Sequence, residues 1–499
     1  MSVVSHDPRT GLPAESAEET TTAEVLNIVQ RAAGAAPVLA ATSPHDLREW
    51  LRAIADGLEA HQDELARLAD TETALGLDRL TGEVNRAANQ LRFYGDVAVE
   101  GSHLGVTIDP RTDTTPELVR VNRPVGPVAV FGASNFPFAF SVLGNDTGAA
   151  LAAGCPVVVK AHPAHVGLSL RQAEIAHQAL LAAGAPTGTF DVVVGHQAGI
   201  NLVQAPGITA VAFTGSQSGG LALWRLANER ETVIPVYAEM GTVNPVVVTR
   251  DGSRDMGSVA AGFVGSFTLG SGQFCTKPGI MLAPRGTHAA QEVAAALRAS
   301  SPTPVMLTRA IADSVETGLR EMEDAGAVVV DHVAASGEGW SAPAAVLRAD
   351  VSALRPGSRL LEECFGAVAL VCEYDGDDEL REALCALQSS LAASLITGGE
   401  DDAQAPALME LLSRKVGRVA VNEWPTGVAF AWAQQHGGPW PSTSVASATS
   451  VGAAGLARFL RPVAFQSAHD AWLPTPAQAA NPWRVPRRIG GRLVLGTDS

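Results

Sequence analysis

Between Val128 and Val248 short β-branched runs alternate with alanine-rich stretches of helical length, and this alternation limits the possible folds more than any other feature. The runs Val128–Phe131, Val157–Lys160, 191–194 and 210–213 are almost uncharged and have strand length. The intervening stretches near 142–153 and 168–183 have the length and composition of helices. Apolar strands joined by helices are βαβ units, and a series of them makes a parallel sheet covered on both faces. Ligands of such sheets sit past the carboxyl ends of the strands. The residues there are Gly132-Ala133-Ser134-Asn135, Lys160-Ala161-His162 and Thr214-Gly215-Ser216, all small or polar.

Around this series the chain divides into further parts. From about Thr22 to Glu100, Leu47, Leu51, Ile54, Leu58, Leu65, Leu68 and Leu91 recur near a 3.6-residue period, which predicts a helical preamble. A second α/β segment runs from about Glu239 to Arg418 and opens with a strand over 244–248. The run 460–465 reads as an edge strand suited to an interface. At 499 residues the chain exceeds one ordinary core, since domains average about 150 residues.

Composition excludes several function classes. Hydrophobic residues make up 46% and charged residues 17%, which rules out a disordered chain. A net charge of −17 argues against nucleic acid or an anionic membrane as the main partner. The five cysteines are odd in number, irregularly spaced and without a zinc pattern, so they are expected to be reduced. The polar, acidic stretch from Met1 to Thr22 has no signal-peptide pattern and no run of 18 apolar residues occurs, so a cytoplasmic enzyme is expected.

The strongest chemical signal is Gly270-Ser271-Gly272-Gln273-Phe274-Cys275-Thr276. Thiolates attack carbonyl carbon, and flanking glycines let backbone N–H groups reach the resulting oxyanion. Taken alone, Asn135 reads as a helix N-cap and Glu239 as a solvated loop residue. Together with the cysteine turn they acquire a common meaning. The phrases Gly132-Ala133-Ser134-Asn135-Phe136-Pro137, Phe213-Thr214-Gly215-Ser216 with Gly220, Glu239-Met240-Gly241, Gly272-Gln273-Phe274-Cys275 and Glu362-Glu363-Cys364-Phe365-Gly366 occur in one order. In them the chain resembles the aldehyde dehydrogenase superfamily along nearly its whole length.

The resemblance implies a Rossmann-like cofactor domain (1–108 and 124–238), an α/β catalytic domain (239–445) and a small β bridging element (109–123 and 460–499) that joins subunits into a homodimer or homotetramer. It implies that Cys275 forms a thiohemiacetal with an aldehyde. Asn135 and the Cys275 N–H would hold the oxyanion, and Glu239 would activate water against the thioester. Thr242 stands where the family's second glycine is usual. For the cofactor the resemblance points to Gly215, Ser216 and Gly220 at the pyrophosphate. It assigns Lys160 to the adenosine ribose, and Glu363 with Phe365 to the nicotinamide ribose. Pro163 replaces the glutamate common in NAD-preferring members, and His162 and His165 lie beside it, so NADP is expected, with NAD as the alternative.

Closer phrases, including Val159-Lys160-Ala161-His162-Pro163-Ala164-His165, His436-Gly437-Gly438-Pro439 and Arg458-Phe459-Leu460-Arg461-Pro462-Val463, are similar to α-ketoglutarate semialdehyde (2,5-dioxovalerate) dehydrogenases. Such a substrate carries a carboxylate far from its aldehyde. By resemblance to a Gln-Leu-Arg phrase of that subgroup, Arg92 is expected to be the matching cation, a surface ion pair being its alternative. Phe136 is expected to line the substrate path. The apolar run Ala429-Phe430-Ala431-Trp432-Ala433 favours instead a broad enzyme for medium-chain aliphatic aldehydes. Two rivals lie outside hydrolytic oxidation: a silent scaffold, which the joint presence of Cys275, Glu239 and Asn135 opposes, and an acyl-thioester-forming reductase, which has no need of Glu239.

Overall fold

The computed structural model describes residues 2–496. Residues 1 and 497–499, the outer ends of the ranges expected for the cofactor domain and the bridging element, lie outside them. The fold is α/β with three main sheets. The first has five parallel strands in the order Phe190–Val193, Val157–Lys160, Val128–Phe131, Ala210–Gly215, Val236–Met240. The chain starts at the central strand, builds outward to one side, then returns and builds to the other. The switch therefore falls between Val128–Phe131 and Ala210–Gly215, where a crevice opens past the strand ends.

Alternate residues of each strand face opposite sides of the sheet, and each side is covered by its own layer. Val128, Val130, Val157, Val159, Ala210 and Ala212 face one core with Leu51, Ile54, Leu58, Leu91 and Tyr94. Ala129, Val158 and Val211 face another with Val25, Val29, Leu202 and Val203. The preamble is four helices: Thr22–Ala41, Pro44–Ala60, Gln62–Thr73 and Leu77–Glu100. The first starts at a capping box, in which the Thr21 hydroxyl accepts from Glu24 N and the Glu24 carboxylate accepts from Thr21 N. The second starts at an N-cap serine, Ser43, followed by Pro44.

The second sheet has seven strands in the order Val328–Val333, Ala344–Asp350, Val368–Tyr374, Ile280–Pro284, Pro245–Val248, Ser390–Ile396, Val416–Val421. All pairs are parallel except the first. Alternate residues again feed two cores, Val247, Ile280 and Leu370 on one face, Val246, Met281 and Val371 on the other. The third sheet joins Leu460–Gln466, Leu118–Pro124, Val106–Asp109 and the short strands Arg487–Ile489 and Arg492–Val494. The predicted edge strand at 460–465 is thus an edge, with a row of exposed and half-buried residues. A hairpin of Ser2–Asp7 and Leu12–Glu18, not anticipated from the sequence, precedes the helices.

Candidate active site

The cysteine turn follows the helix Met256–Thr268. Gly270, Ser271 and Gly272 take φ of 56°, 63° and 71° in succession, a left-handed path that two glycines make accessible. A Cβ on Gly272 would lie 2.2 Å from the carbonyl of Gly366, so this position also lets the turn touch the segment carrying Glu363. Buried polar side chains pin the turn from several directions. The Gln273 amide donates to Val305 O at 3.2 Å and accepts from Leu307 N at 3.0 Å. Asn244 donates to the carbonyls of Cys275 (2.8 Å) and Lys277 (3.1 Å). The fully buried Lys277 ammonium donates to the carbonyls of Cys364 and Val368.

Asn135 leaves the central strand of the first sheet, is 7% exposed, and donates its amide to Gln273 O at 2.7 Å. That places the amide beside the cysteine turn. Glu239 ends the strand Val236–Met240 and is 3% exposed. Its Oε2 lies 3.1 Å from His436 Nε2 and accepts from Ser450 Oγ at 2.8 Å. His436 Nε2 is in turn 3.6 Å from Cys275 Sγ. Sulfur, imidazole and carboxylate lie within 4.8 Å of one another, a set that a thiophilic divalent ion could also bridge.

The electrostatics of this trio are one-sided. Burial, then the neighbouring Glu239 carboxylate, pushes the Cys275 thiol well above its ordinary value, so the resting group is a thiol. Burial works to raise Glu239 as well, but His436 and the hydrogen bonds from His436, Ser450 and Cys275 outweigh it and hold Glu239 below the usual carboxylate range. The result is an ionised, hydrogen-bonded acceptor next to a protonated nucleophile. A second buried chain supports it: Asp146 pairs with Arg458 at 2.7 Å, and Arg458 donates to the carbonyls of Gly455 and Ser450.

The crevice at the switch point has the features of a dinucleotide site. Ser216 caps the helix Gln217–Asn228, its hydroxyl accepting from Gly219 N, which leaves the first turn of that helix facing the crevice. A Cβ on Gly220 would meet Met240 Sδ at 2.7 Å, so this glycine keeps the helix close to the sheet, while one on Gly215 would meet the Phe213 ring of its own strand at 2.7 Å. Lys160 stands at its strand end with its stem against Gly199, and burial lowers its pKa to about 8. Glu363 is tucked against Gly241, where an added Cβ would lie 2.2 Å from its Oε2. Its other oxygen, Oε1, is buried without a partner, and burial raises the group to about 7 against the pull of Lys277 and Arg359. An unpartnered acceptor in a glycine-walled crevice fits the ribose hydroxyls of NAD or NADP.

The aldehyde dehydrogenase family profile matches residues 2–460. The chain belongs to the aldehyde dehydrogenase family. It is 42% identical over 454 residues to alpha-ketoglutaric semialdehyde dehydrogenase 2 of Azospirillum brasilense, covering 89% of this chain and 86% of that one. With alpha-ketoglutaric semialdehyde dehydrogenase of Acinetobacter baylyi it shares 39% over 468 residues, 91% and 88% of the two chains. Among solved structures, betaine aldehyde dehydrogenase of Staphylococcus aureus superposes with TM-score 0.82 at 19% identity over 95% and 94% of the chains. An E. coli NADP dependent enzyme gives 0.80 at 22% over 93% and 94%. These two show the shared fold.

Within this aldehyde dehydrogenase, Glu239 lies beside Cys275, and Asn135 is bonded to the turn that carries Cys275. Phe136 packs beside that turn, its ring centroid 4.9 Å from that of Phe274 and 5.3 Å from that of Phe140. Phe365, two residues beyond Glu363, is half-buried. Thr242, in place of the expected glycine, is buried and used: its hydroxyl accepts from Leu391 N and donates to Asn244. Arg92 is a correction. Its guanidinium is held by Glu59 and Asp56, each at 2.6 Å, so its charge is satisfied on the helical layer and not at the substrate path. His162 is a second adjustment. Its Nδ1 accepts from Ala164 N, and burial, with His165 and Lys160 nearby, drives its pKa well down, so it offers a 2′-phosphate no positive charge. The residue that sequence reasoning missed is His436. It stood in the phrase His436-Gly437-Gly438-Pro439, but nothing in the linear order places it 3.1 Å from Glu239.

Proposed function

We propose that the chain oxidises a semialdehyde, α-ketoglutarate semialdehyde first among candidates, to its carboxylic acid in the cytoplasm, with NADP+ or NAD+ as oxidant. The observation that carries this reading is the cluster of Cys275, Glu239 and His436, whose sulfur, carboxylate and imidazole lie within 4.8 Å of one another, with the Asn135 amide bonded to the cysteine turn at Gln273 O. The two relatives named for α-ketoglutaric semialdehyde support the substrate.

Cys275 Sγ bonds to the aldehyde carbon while its proton passes to the Glu239–His436 pair, giving a thiohemiacetal. Its oxyanion sits between the Asn135 amide, freed from Gln273 O, and the Cys275 N–H. Removing such a donor typically costs about 2.7–4 kcal/mol of barrier. Lys160, Ser216, Gly215, Gly220, Glu363 and Phe365 would hold the dinucleotide, whose oxidised nicotinamide, when bound, supplies the hydride acceptor. The thioester left on Cys275 is then hydrolysed. Once the first proton has left to solvent, Glu239, ionised again and oriented by His436 and Ser450, takes a proton from water as the oxygen bonds to the acyl carbon; the C–S bond breaks and the departing Cys275 thiolate takes that proton from Glu239.

NADP+ is the first choice because no carboxylate stands three residues after Lys160, where Pro163 is. NAD+ is the alternative, since His162 is neutral. The three sheets are proposed to be the cofactor, catalytic and bridging units, with the exposed edge Leu460–Gln466 pairing between subunits of a homodimer or homotetramer. A second reading, oxidation of medium-chain aliphatic aldehydes, is favoured by the aromatic wall of Phe136, Phe140 and Phe430.

Initial rates of NADPH and NADH formation with α-ketoglutarate semialdehyde, glutarate semialdehyde and hexanal, with Cys275→Ala as control, test the reading. A higher kcat/KM for the keto acid, abolished in Cys275→Ala, is expected. A higher value for hexanal moves the enzyme to the second reading, and no turnover with any substrate overturns both.

A further inference from the structure

Three arginines, none of them Arg92, surround the apolar pocket of Cys275. Arg79 lies 5.1 Å from the ring centroids of both Phe136 and Phe274, and its guanidinium donates to Asn135 O at 2.6 Å. Arg86, two turns along the same helix, lies 5.7 Å from the Phe140 ring, and that ring is 6.1 Å from the ring of His436. Arg418 belongs to the strand Val416–Val421, at the edge of the second sheet. Arg86 donates to Val428 O and Arg418 to Pro425 O, so one short loop holds both guanidinium groups.

What sets Arg86 and Arg418 apart is what they lack. Among the described residues neither forms an ion pair, and the Nε of each is buried without a hydrogen-bond partner. The carboxylate near Arg79 and Arg86 is Glu83, whose Oε1 is spent on Phe138 N and Ala139 N. Burial pushes Glu83 upward, toward its neutral form, so it compensates the arginines weakly. The Phe140 ring links Arg86 to the ring of His436, whose Nε2 is 3.6 Å from Cys275 Sγ, and the loop that holds Arg86 at Val428 O holds Arg418 at Pro425 O. Desolvated guanidinium groups with unused donors are costly unless an anion arrives to take them. Phe140, Val428 and Phe430 form an apolar wall in the same pocket.

We propose that Arg86 and Arg418 form the subsite for the distal carboxylate of the substrate, selecting aldehydes whose far end is a carboxylate over neutral aldehydes. This rests on the semialdehyde reading above and names the residues that would make it. The aldehyde carbon lies at Cys275, the methylene chain runs along the aromatic wall, and the carboxylate accepts from guanidinium N–H groups that now have no partner. Arginine suits this better than lysine because its planar fork matches both carboxylate oxygens.

The test compares wild type, Arg86→Gln, Arg418→Gln and Arg86→Lys on glutarate semialdehyde and hexanal. The ratio of the two kcat/KM values is expected to fall on the order of 30-fold in each glutamine variant, the size of a hydrogen bond to a charged group. Arg86→Lys should recover part of it as a point charge. A ratio within about threefold of wild type in both glutamine variants, well below that expected loss, overturns the subsite. A measurement on the unaltered protein guards against variants that fail to fold: glutarate should slow alkylation of Cys275 by iodoacetamide, and 1,5-pentanediol at the same concentration should not. Equal effects of the two probes overturn the subsite. Should wild type prefer hexanal, the substrate reading falls, while glutarate protection that is lost in Arg86→Gln still upholds the anion subsite.

Discussion

At the scale of the residue, Cys275 and Glu239 illustrate how one charge governs another. The thiol stays protonated because the sulfur is desolvated and because an ionised carboxylate sits beside it. Removing that carboxylate therefore lowers the thiol pKa. In Glu239→Gln, alkylation of Cys275 by iodoacetamide between pH 6 and 10 should rise at a lower pH than in wild type. Hydrolysis of the thioester should fall sharply, because the variant has lost the base that activates water. General bases contribute typically about 10²–10⁴-fold. An alkylation profile displaced to higher pH in Glu239→Gln would contradict the charge relation derived from the structure. His436 acts through Glu239, holding the carboxylate ionised and aimed.

At the scale of the element, the turn that follows Met256–Thr268 owes its shape to two glycines with different duties. Gly270 serves the left-handed path, while Gly272 serves both that path and a close approach to Gly366. Gly272→Ala would place a Cβ 2.2 Å from the Gly366 carbonyl, with backbone on both sides and no flexible side chain to yield. The turn must then move away from the segment that carries Glu363, and with it Cys275. Loss of most activity is expected, with a thermal midpoint lowered by several degrees, roughly the effect of 1–3 kcal/mol of local strain in a large chain. Activity retained at wild-type level with an unchanged midpoint would show that the approach is not obligatory. The helices Thr22–Ala41 and Pro44–Ala60, by contrast, should tolerate surface change, since their apolar faces and their Thr21 and Ser43 caps carry the packing.

At the scale of the whole molecule, the site is joined to the fold by the buried pair Asp146–Arg458, which spans 312 residues of chain. Arg458→Met would leave Asp146 buried with no cation, a change that costs about 3–5 kcal/mol. The deficit should shrink as pH falls. Without Arg458 the folded-state pKa of Asp146 rises further, so the folded protein takes up a proton at a pH where the unfolded carboxyl is still ionised, and acid favours the folded variant relative to its value at pH 8. Thermal midpoints of wild type and variant at pH 8 and pH 5 check this, and a difference that does not shrink at pH 5 contradicts it.

Much of this molecule was legible in one dimension. The apolar runs at 128–131, 157–160 and 210–213 are buried almost without a break because both faces of a parallel sheet are covered, and that requirement is written into strand composition. The cysteine turn announced itself through glycines, whose backbone freedom is a local property. Arg92 and His436 mark where linear reasoning ended. Arg92 lies in a helix beside acidic residues of a neighbouring helix, and only helix packing decided that Glu59 and Asp56 would take its charge. Its neighbour one and a half turns earlier, Arg86, is turned instead toward Phe140 and Val428. His436 reaches Glu239 across 197 residues. The sequence by itself determined the βαβ strands, the helical preamble, the nucleophile's turn and the family, because these depend on local periodicity, backbone conformation and short phrases; the hairpin Ser2–Asp7 and Leu12–Glu18 was not among them. Which charges are paired and which are left facing the pocket depends on distances between remote elements, and only the tertiary structure decided that.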